Sequence, residues 1–406
     1  MKRIFLFSIT TLIFLIASCN SDFFTSGKFD KWYASDPSPV IPPAGEKAGN
    51  GGSGTKEATY GEWSDINNYD FYLNLFTITD DVNIPEEQRR KCFAKYIGYF
   101  GFETRYMVTV NVVTSEGPAG DVLVELEQSG NNLFSAKTNV KGNAYLFPSE
   151  KLNGKNIAIK VNGVEKQTLA YDGNTIHITL DDNVEKSSIL DLMFVIDSTS
   201  SMGDELLYLK NKYSEIIGKI NAQTVNLALL FYRDTGDEYI TRYFDFTKNM
   251  EEQQKNLVKQ SASGGGDFPE AADRALAEAV GVELYQRNSD KSKIEIKWSD
   301  NAIRLIFHVC DAPPHSDQIS QLTYRSAIET AAKKGIRIIP IASNGIAIAA
   351  EYLLRQEAIM TGGTYIFLTD YTGKDESELL HTVGAYTEKN LDDYIVYVVN
   401  KYLTGN

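Results

Sequence analysis

The residues best suited to chemistry lie in one short run. The apolar stretch Leu190-Asp-Leu-Met-Phe-Val-Ile196 leads directly into Asp197-Ser198-Thr199-Ser200-Ser201-Met202-Gly203. In an Asp-x-Thr-x-Ser pattern, alternate residues of a tight loop can aim one carboxylate and two hydroxyls at a single point. An all-oxygen donor set suits a hard divalent cation that keeps several waters, Mg²⁺ first, with Mn²⁺ or Ca²⁺ as alternatives. Two neutral hydroxyls leave such an ion under-neutralised, so it stays a strong Lewis acid and takes an acidic ligand from outside. The competing assignment for Thr199 and Ser201 is structural, as caps of the helix that follows.

Other candidates are weaker. Phe231-Tyr-Arg-Asp234 ends an apolar run, which puts Asp234 on the same edge as Asp197, either as an outer partner of the metal or as a salt link to Arg233. Thr235-Gly-Asp237-Glu238 reads as a hairpin with solvated carboxylates. His308 and Cys310 share one face of a strand and, with Asp311 and His315, could suggest a transition-metal site; soft ligands in a buried strand are more often core. No Gly-x-Ser-x-Gly occurs, so nothing marks a nucleophilic triad. The glycine-rich patch 49–56 lacks the Gly-Lys-Ser/Thr ending of a phosphate loop and has no strand before it.

The elements that must position the motif follow from patterning. Apolar runs at Ile189–Ile196, Val225–Tyr232, Ile303–Val309, Ile336–Ile341 and Thr364–Leu368 alternate with helical segments at Asp204–Ile220, Pro269–Leu284, Gln318–Lys334 and Ala347–Met360. Buried strands alternating with helices predict an α/β, doubly wound, Rossmann-like sheet over 188–406. A closing helix is expected within 385–403. Ligands of such sheets sit beyond the carboxyl ends of the strands, where Asp197 falls. Residues 104–182 show period-two runs separated by turn signals and predict a small antiparallel β-sandwich, transthyretin-like or carboxypeptidase-regulatory-like. Residues 58–103 are aromatic and read as a helical segment that packs as a cap. Asp80-Asp81 and Glu86-Glu87 read as a solvated face, and residues 285–300 as an excursion before the next strand.

The 406 residues carry 40 Lys+Arg against 54 Asp+Glu, a net charge of −14. Without a basic cluster, this argues against nucleic acid as a partner. Three cysteines, Cys19, Cys92 and Cys310, are too few for a disulfide framework; Cys92 and Cys310 could still bridge in an oxidising compartment. Met1-Lys-Arg3, the apolar run Ile4–Ala17 and Ile16-Ala-Ser-Cys19 have the order of a secretory signal over 1–18. The cysteine after Ile-Ala-Ser resembles the bacterial lipobox, which implies diacylation of Cys19 and lipid anchoring in the cell envelope. Asn20 rather than aspartate follows Cys19, which favours the outer membrane. Residues 19–57 then form a lipid-attached linker, proline-rich first and glycine-rich after.

Residues 188 to about 370 resemble a von Willebrand factor type A (VWA) domain with a metal-ion-dependent adhesion site. Asp197, Thr199 and Ser201 match its first motif. Its second element is a threonine, where this chain has Ser263-Gly-Gly-Gly-Asp267-Phe-Pro-Glu270, so Asp267 stands in for it, with Glu270 a weaker substitute. Its third element is an aspartate, matched by Asp311. The resemblance implies a non-catalytic module that binds a protein or glycan partner through a carboxylate on the metal. The alternatives are a scaffold in an envelope complex, in which the metal serves folding, and a metal-dependent hydrolase.

Overall fold

Burial on both faces decides the central sheet. The computed structural model describes residues 59–77, 92–266, 268–282, 295–343, 346–370 and 381–405, all within one compact unit. Cys19, the linker, Asp80-Asp81, Glu86-Glu87 and Asp267 lie outside the described residues. The parallel core strands are β10 (Ile189–Asp197), β11 (Thr224–Tyr232), β13 (Ile303–Cys310), β14 (Ile336–Ala342) and β15 (Tyr365–Asp370). β14 is buried at every position and β10 at eight of nine. Near-continuous apolar runs of this kind fit a sheet covered on both sides.

The sheet runs β1 (Thr59–Trp63), β15, β14, β13, β10, β11 and β12 (Thr241–Thr247), seven strands among the described residues. β12 returns antiparallel to β11 through the predicted hairpin. The register sets Asp197 beside Tyr232 and Ile196 beside Val309. The flanking helices are α3 (Gly203–Gly218), α4 (Met250–Val258), α5 (Ala272–Val280), α6 (Gln318–Lys334), α7 (Ile348–Thr361) and α8 (Leu391–Thr404). Asp317 caps α6 by accepting from the Ile319 and Ser320 amides, and Gly335 ends it in the left-handed conformation.

The aromatic segment departs from expectation. α1 (Tyr69–Asn74) and α2 (Ala94–Phe100) are helices, but Thr59–Trp63 is a strand, β1, pairing antiparallel with β15. A helix over these residues would leave the edge of β15 open; β1 closes it and buries Tyr60 and Trp63. The outer edge of β1 exchanges hydrogen bonds between Tyr60 and Lys389. Phe93, Tyr96 and Phe100 ring Tyr352 of α7, with centroids 5.3, 5.4 and 6.0 Å away. The segment is thus a cap on α7, whose residues 349–361 are all buried.

Residues 108–179 form two four-stranded sheets. One holds β2 (Val108–Thr114), β3 (Gly117–Pro118), β6 (Asn143–Leu146) and β9 (Ile176–Thr179). The other holds β4 (Leu123–Gln128), β5 (Asn131–Lys137), β7 (Asn156–Val161) and β8 (Val164–Ala170). The sandwich is not wholly antiparallel: β2 and β9 are parallel, because β9 arrives through a crossover rather than a hairpin. The sandwich meets the base of the large sheet, opposite the Asp197 edge. There Arg304 reaches Asp121 at 3.0 Å and Arg337 donates to the Lys137 carbonyl at 2.8 Å. Both arginines also bind the last carbonyl of a helix, Lys334 of α6 and Thr361 of α7.

Cys92 and Cys310 are both buried and no disulfide joins the two, so that possible bridge is not made. His308 is likewise core. Its Nδ1 lies 3.0 and 2.9 Å from the two Glu357 oxygens, and its Nε2 lies 3.0 Å from the Tyr232 hydroxyl. Every polar atom of the ring is occupied inside the sheet–helix layer, which leaves no transition-metal site there.

Candidate metal centre

Asp197 is the last residue of β10 and fully buried. Its Oδ1 accepts from the Thr199 amide at 2.9 Å and from the Thr199 hydroxyl at 2.7 Å. Thr199 Oγ1 stands 3.4 Å from Ser201 Oγ. The three motif side chains therefore converge as their spacing predicts. Neither Thr199 nor Ser201 gives a side-chain cap to the turn or to α3, so the capping assignment falls. Asp197 Oδ2 is buried with no hydrogen-bond partner. A solitary buried carboxylate oxygen is costly, and a cation is what such an atom lacks.

Asp311 follows β13 directly and faces Asp197 closely enough that burial, and then the Asp311 charge, push the Asp197 carboxyl far up. Glu205, in the first turn of α3, adds to this. Among the described residues no three His, Cys, Asp or Glu side chains stand close enough to hold an ion by themselves. Two carboxylates completed by hydroxyls is the donor set the geometry offers, and it fits a hard divalent ion. Asp197, Thr199, Ser201 and Asp311 would hold it; Asp267 lies outside the described residues.

Two tight loops carry the second layer. Ser263 N donates to Ser198 O at 3.0 Å, and Ser200 Oγ to Gly264 O at 2.8 Å, so the glycine loop lies on the motif loop. Gly264 and Gly265 have φ of +84° and +73°. A Cβ on Gly264 would strike the Asp237 carboxylate; one on Gly265 would lie 2.7 Å from Glu270 Oε1 and 3.2 Å from Thr199 Cβ. Only glycine permits both the backbone and the approach.

Two expectations change. Asp234 does not hold Arg233; its Oδ1 accepts from His315 Nε2 at 2.6 Å. Arg233 turns instead to Glu238 at 3.3 Å and to the Ser261 carbonyl at 2.9 Å. Asp237 is not a solvated turn residue, because its Oδ2 accepts from the Gly265 amide at 2.9 Å and the Asp234 amide at 3.0 Å. Sequence reasoning missed Asp237 and Glu205. A hairpin acid and an acid in a first helical turn are both ordinary in type, and only the fold turns them inward.

With this topology and site in place, comparison with known proteins is decisive: residues 191–290 match the von Willebrand factor A domain family. The chain carries a VWA domain. VWA domains are interaction or adhesion-type modules and commonly bind a divalent metal. An ariadne-like RING finger protein of Acanthamoeba polyphaga mimivirus is 27% identical over 149 residues, 36% of this chain and 13% of its own. An alpha-protein kinase, vwkA, of Dictyostelium discoideum is 21% identical over 212 residues, 51% of this chain and 31% of its own. The chain thus spans under a third of either relative. Among solved structures, BatB of Bacteroides thetaiotaomicron covers 52% of this chain and 98% of its own at 13% identity, TM-score 0.34. A von Willebrand factor type A protein of Catenulispora acidiphila covers 71% and 51% at 12% identity, TM-score 0.36.

Behind the VWA site, Asp273 of α5 is buried with Oδ1 unpartnered. Burial, only partly offset by His315 and Arg274, lifts its carboxyl to about 6. The folded state then holds this proton more tightly than the unfolded chain does. That stability is complete below about pH 4 and disappears as pH rises through about 6. Asp273→Asn should therefore gain on the order of 3 kcal/mol over the parent at pH 7.5 and little at pH 4. Urea midpoints at the two pH values test this, and an equal difference at both would sink it.

Proposed function

We propose that this protein is a lipid-anchored binding module of a bacterial envelope, held at Cys19 and most consistent with the outer membrane. It grips a protein or glycan partner through a divalent metal at the VWA site. The observation that carries the reading is the buried, partnerless Asp197 Oδ2, cradled by Thr199 and Ser201 and facing Asp311. When bound, Mg²⁺ would supply Lewis acidity toward an incoming carboxylate. The chain's own groups orient the donors: Thr199 fixes Asp197, while Gly264 and Gly265 let the second loop close on the first. The reading is that of a binding module rather than of an enzyme.

A second reading, a scaffold whose metal serves mainly folding, is favoured by the acids crowding the site. Burial and the charges of Asp197, Asp234, Asp311 and Asp237 lift Glu270 to about 10. One experiment weighs the two. Cells carrying the full chain, Asp197→Ala or Cys19→Ser are probed with a fluorescent pool of aspartate-containing peptides in Mg²⁺ and in EDTA. Binding should need Mg²⁺ and Asp197, and Cys19→Ser should move the chain out of the membrane fraction. Peptide binding that survives both EDTA and Asp197→Ala would overturn the metal reading, and loss of folding in EDTA without any peptide bound would favour the scaffold.

A further inference from the structure

Glu270 sits where the three site loops meet. Its amide donates to the Pro313 carbonyl at 3.0 Å, two residues beyond Asp311. The next amide, Ala271, donates to Arg233 O at 3.3 Å, tying the same turn to the end of β11. Its Oε1 and Thr199 Cβ both stand against Gly265, 2.7 and 3.2 Å from where a Cβ there would lie. Glu270 is 4% exposed, and its Oε2 has no hydrogen-bond partner. No cation pairs with it among the described residues. Instead the carboxylates of Asp197, Asp234, Asp311 and Asp237 surround it. A glutamate strapped by its backbone to two of the loops, with one oxygen buried and unused, is costly to ionise unless a positive charge stands beside it.

We propose that Glu270 is the site's internal acid: it faces the metal held by Asp197 and Asp311 through a bridging water and competes with the partner's carboxylate. This deepens the metal-binding reading above and rests on it. An anionic group so placed raises affinity for the cation. It also leaves the ion more neutralised, so an external carboxylate binds the loaded site weakly until Glu270 is displaced or its charge removed. Glu270 is thus a specificity-determining residue, setting how strongly the metal attracts an acidic partner.

The test is calorimetric titration of the full chain, Glu270→Gln and Glu270→Asp with Mg²⁺ and Mn²⁺ alone, followed by titration of the metal-saturated proteins with sodium acetate. Glu270→Gln should weaken metal binding by about 10–100-fold and strengthen acetate binding to the saturated protein. Glu270→Asp, which keeps the charge, should recover part of the metal affinity. Metal affinity and acetate affinity both unchanged in Glu270→Gln, with parental binding intact, would overturn the role of Glu270 and leave the metal site standing. Absence of metal binding in the parent would instead overturn the underlying reading. Thermal unfolding in EDTA, expected to be no lower for Glu270→Gln than for the parent, confirms that the variant is folded.

Discussion

Saturating Mg²⁺ or Mn²⁺, at about 100 times the dissociation constant, should raise the stability of the full chain by roughly 2.7 kcal/mol, and EDTA should abolish the gain. Asp197→Ala should lose the whole response. In the metal-free protein Asp197→Asn should be more stable than the parent, because it spares the fold the cost of burying an ionisable carboxyl with one oxygen that nothing satisfies. The pH dependence follows from the same group. Burial and Asp311 hold the Asp197 carboxyl far above its ordinary range, so the metal must displace a proton, and affinity should rise with pH. Differential scanning fluorimetry across metals, at pH 6 and 8, reads both effects. An undiminished metal shift in Asp197→Ala would place the ion elsewhere. No shift in any metal would defeat the assignment of this site.

The second large effect is expected far from the metal. Arg355 of α7 is fully buried. Its Nε donates to Asp65 Oδ2 at 2.8 Å, its Nη2 to Asp65 Oδ1, and its Nη1 to Glu351 at 3.2 Å and to the Thr382 carbonyl at 2.6 Å. Trp63 Nε1 donates to Asp65 Oδ1 at 3.0 Å, and the guanidinium lies 5.1 Å from the Phe93 ring centre and 5.6 Å from that of Tyr72. This cluster pins β1, α7 and the segment before α8 together. Arg355→Met strands two buried carboxylates and should cost about 3–5 kcal/mol. Asp65→Asn leaves Glu351 to neutralise the arginine and should cost less. Urea unfolding of both variants decides it; a loss in Arg355→Met no larger than that in Asp65→Asn would show that the cluster does not hold the cap. Limited proteolysis should find the 59–77 segment cut first in Arg355→Met.

Much of this architecture was legible locally. α6 spans the residues its spacing predicts, 318–334, and the five parallel strands lie within two residues of the apolar runs. A strand buried on both faces and a helix buried on one leave a period in the sequence that needs no partner to be read. β1 was not legible as a strand, because its partner β15 lies some three hundred residues away in the chain and five aromatic-rich residues carry no clear period. The parallel β2–β9 pair was hidden for the same reason.

The site divides along the same line. The sequence by itself determined the Asp197–Thr199–Ser201 cradle, because a carboxylate and two hydroxyls within five residues converge through local backbone geometry alone. It also placed Asp311 at the end of a buried strand. Only the tertiary structure decided that Glu270 lies against this cradle, that Asp237 braces Gly265 and that Asp234 turns to His315. These acids are surface-like in type and distant in sequence. What brings them inward is the stacking of three loops at the carboxyl edge of the sheet, a consequence of strand order that no local pattern encodes.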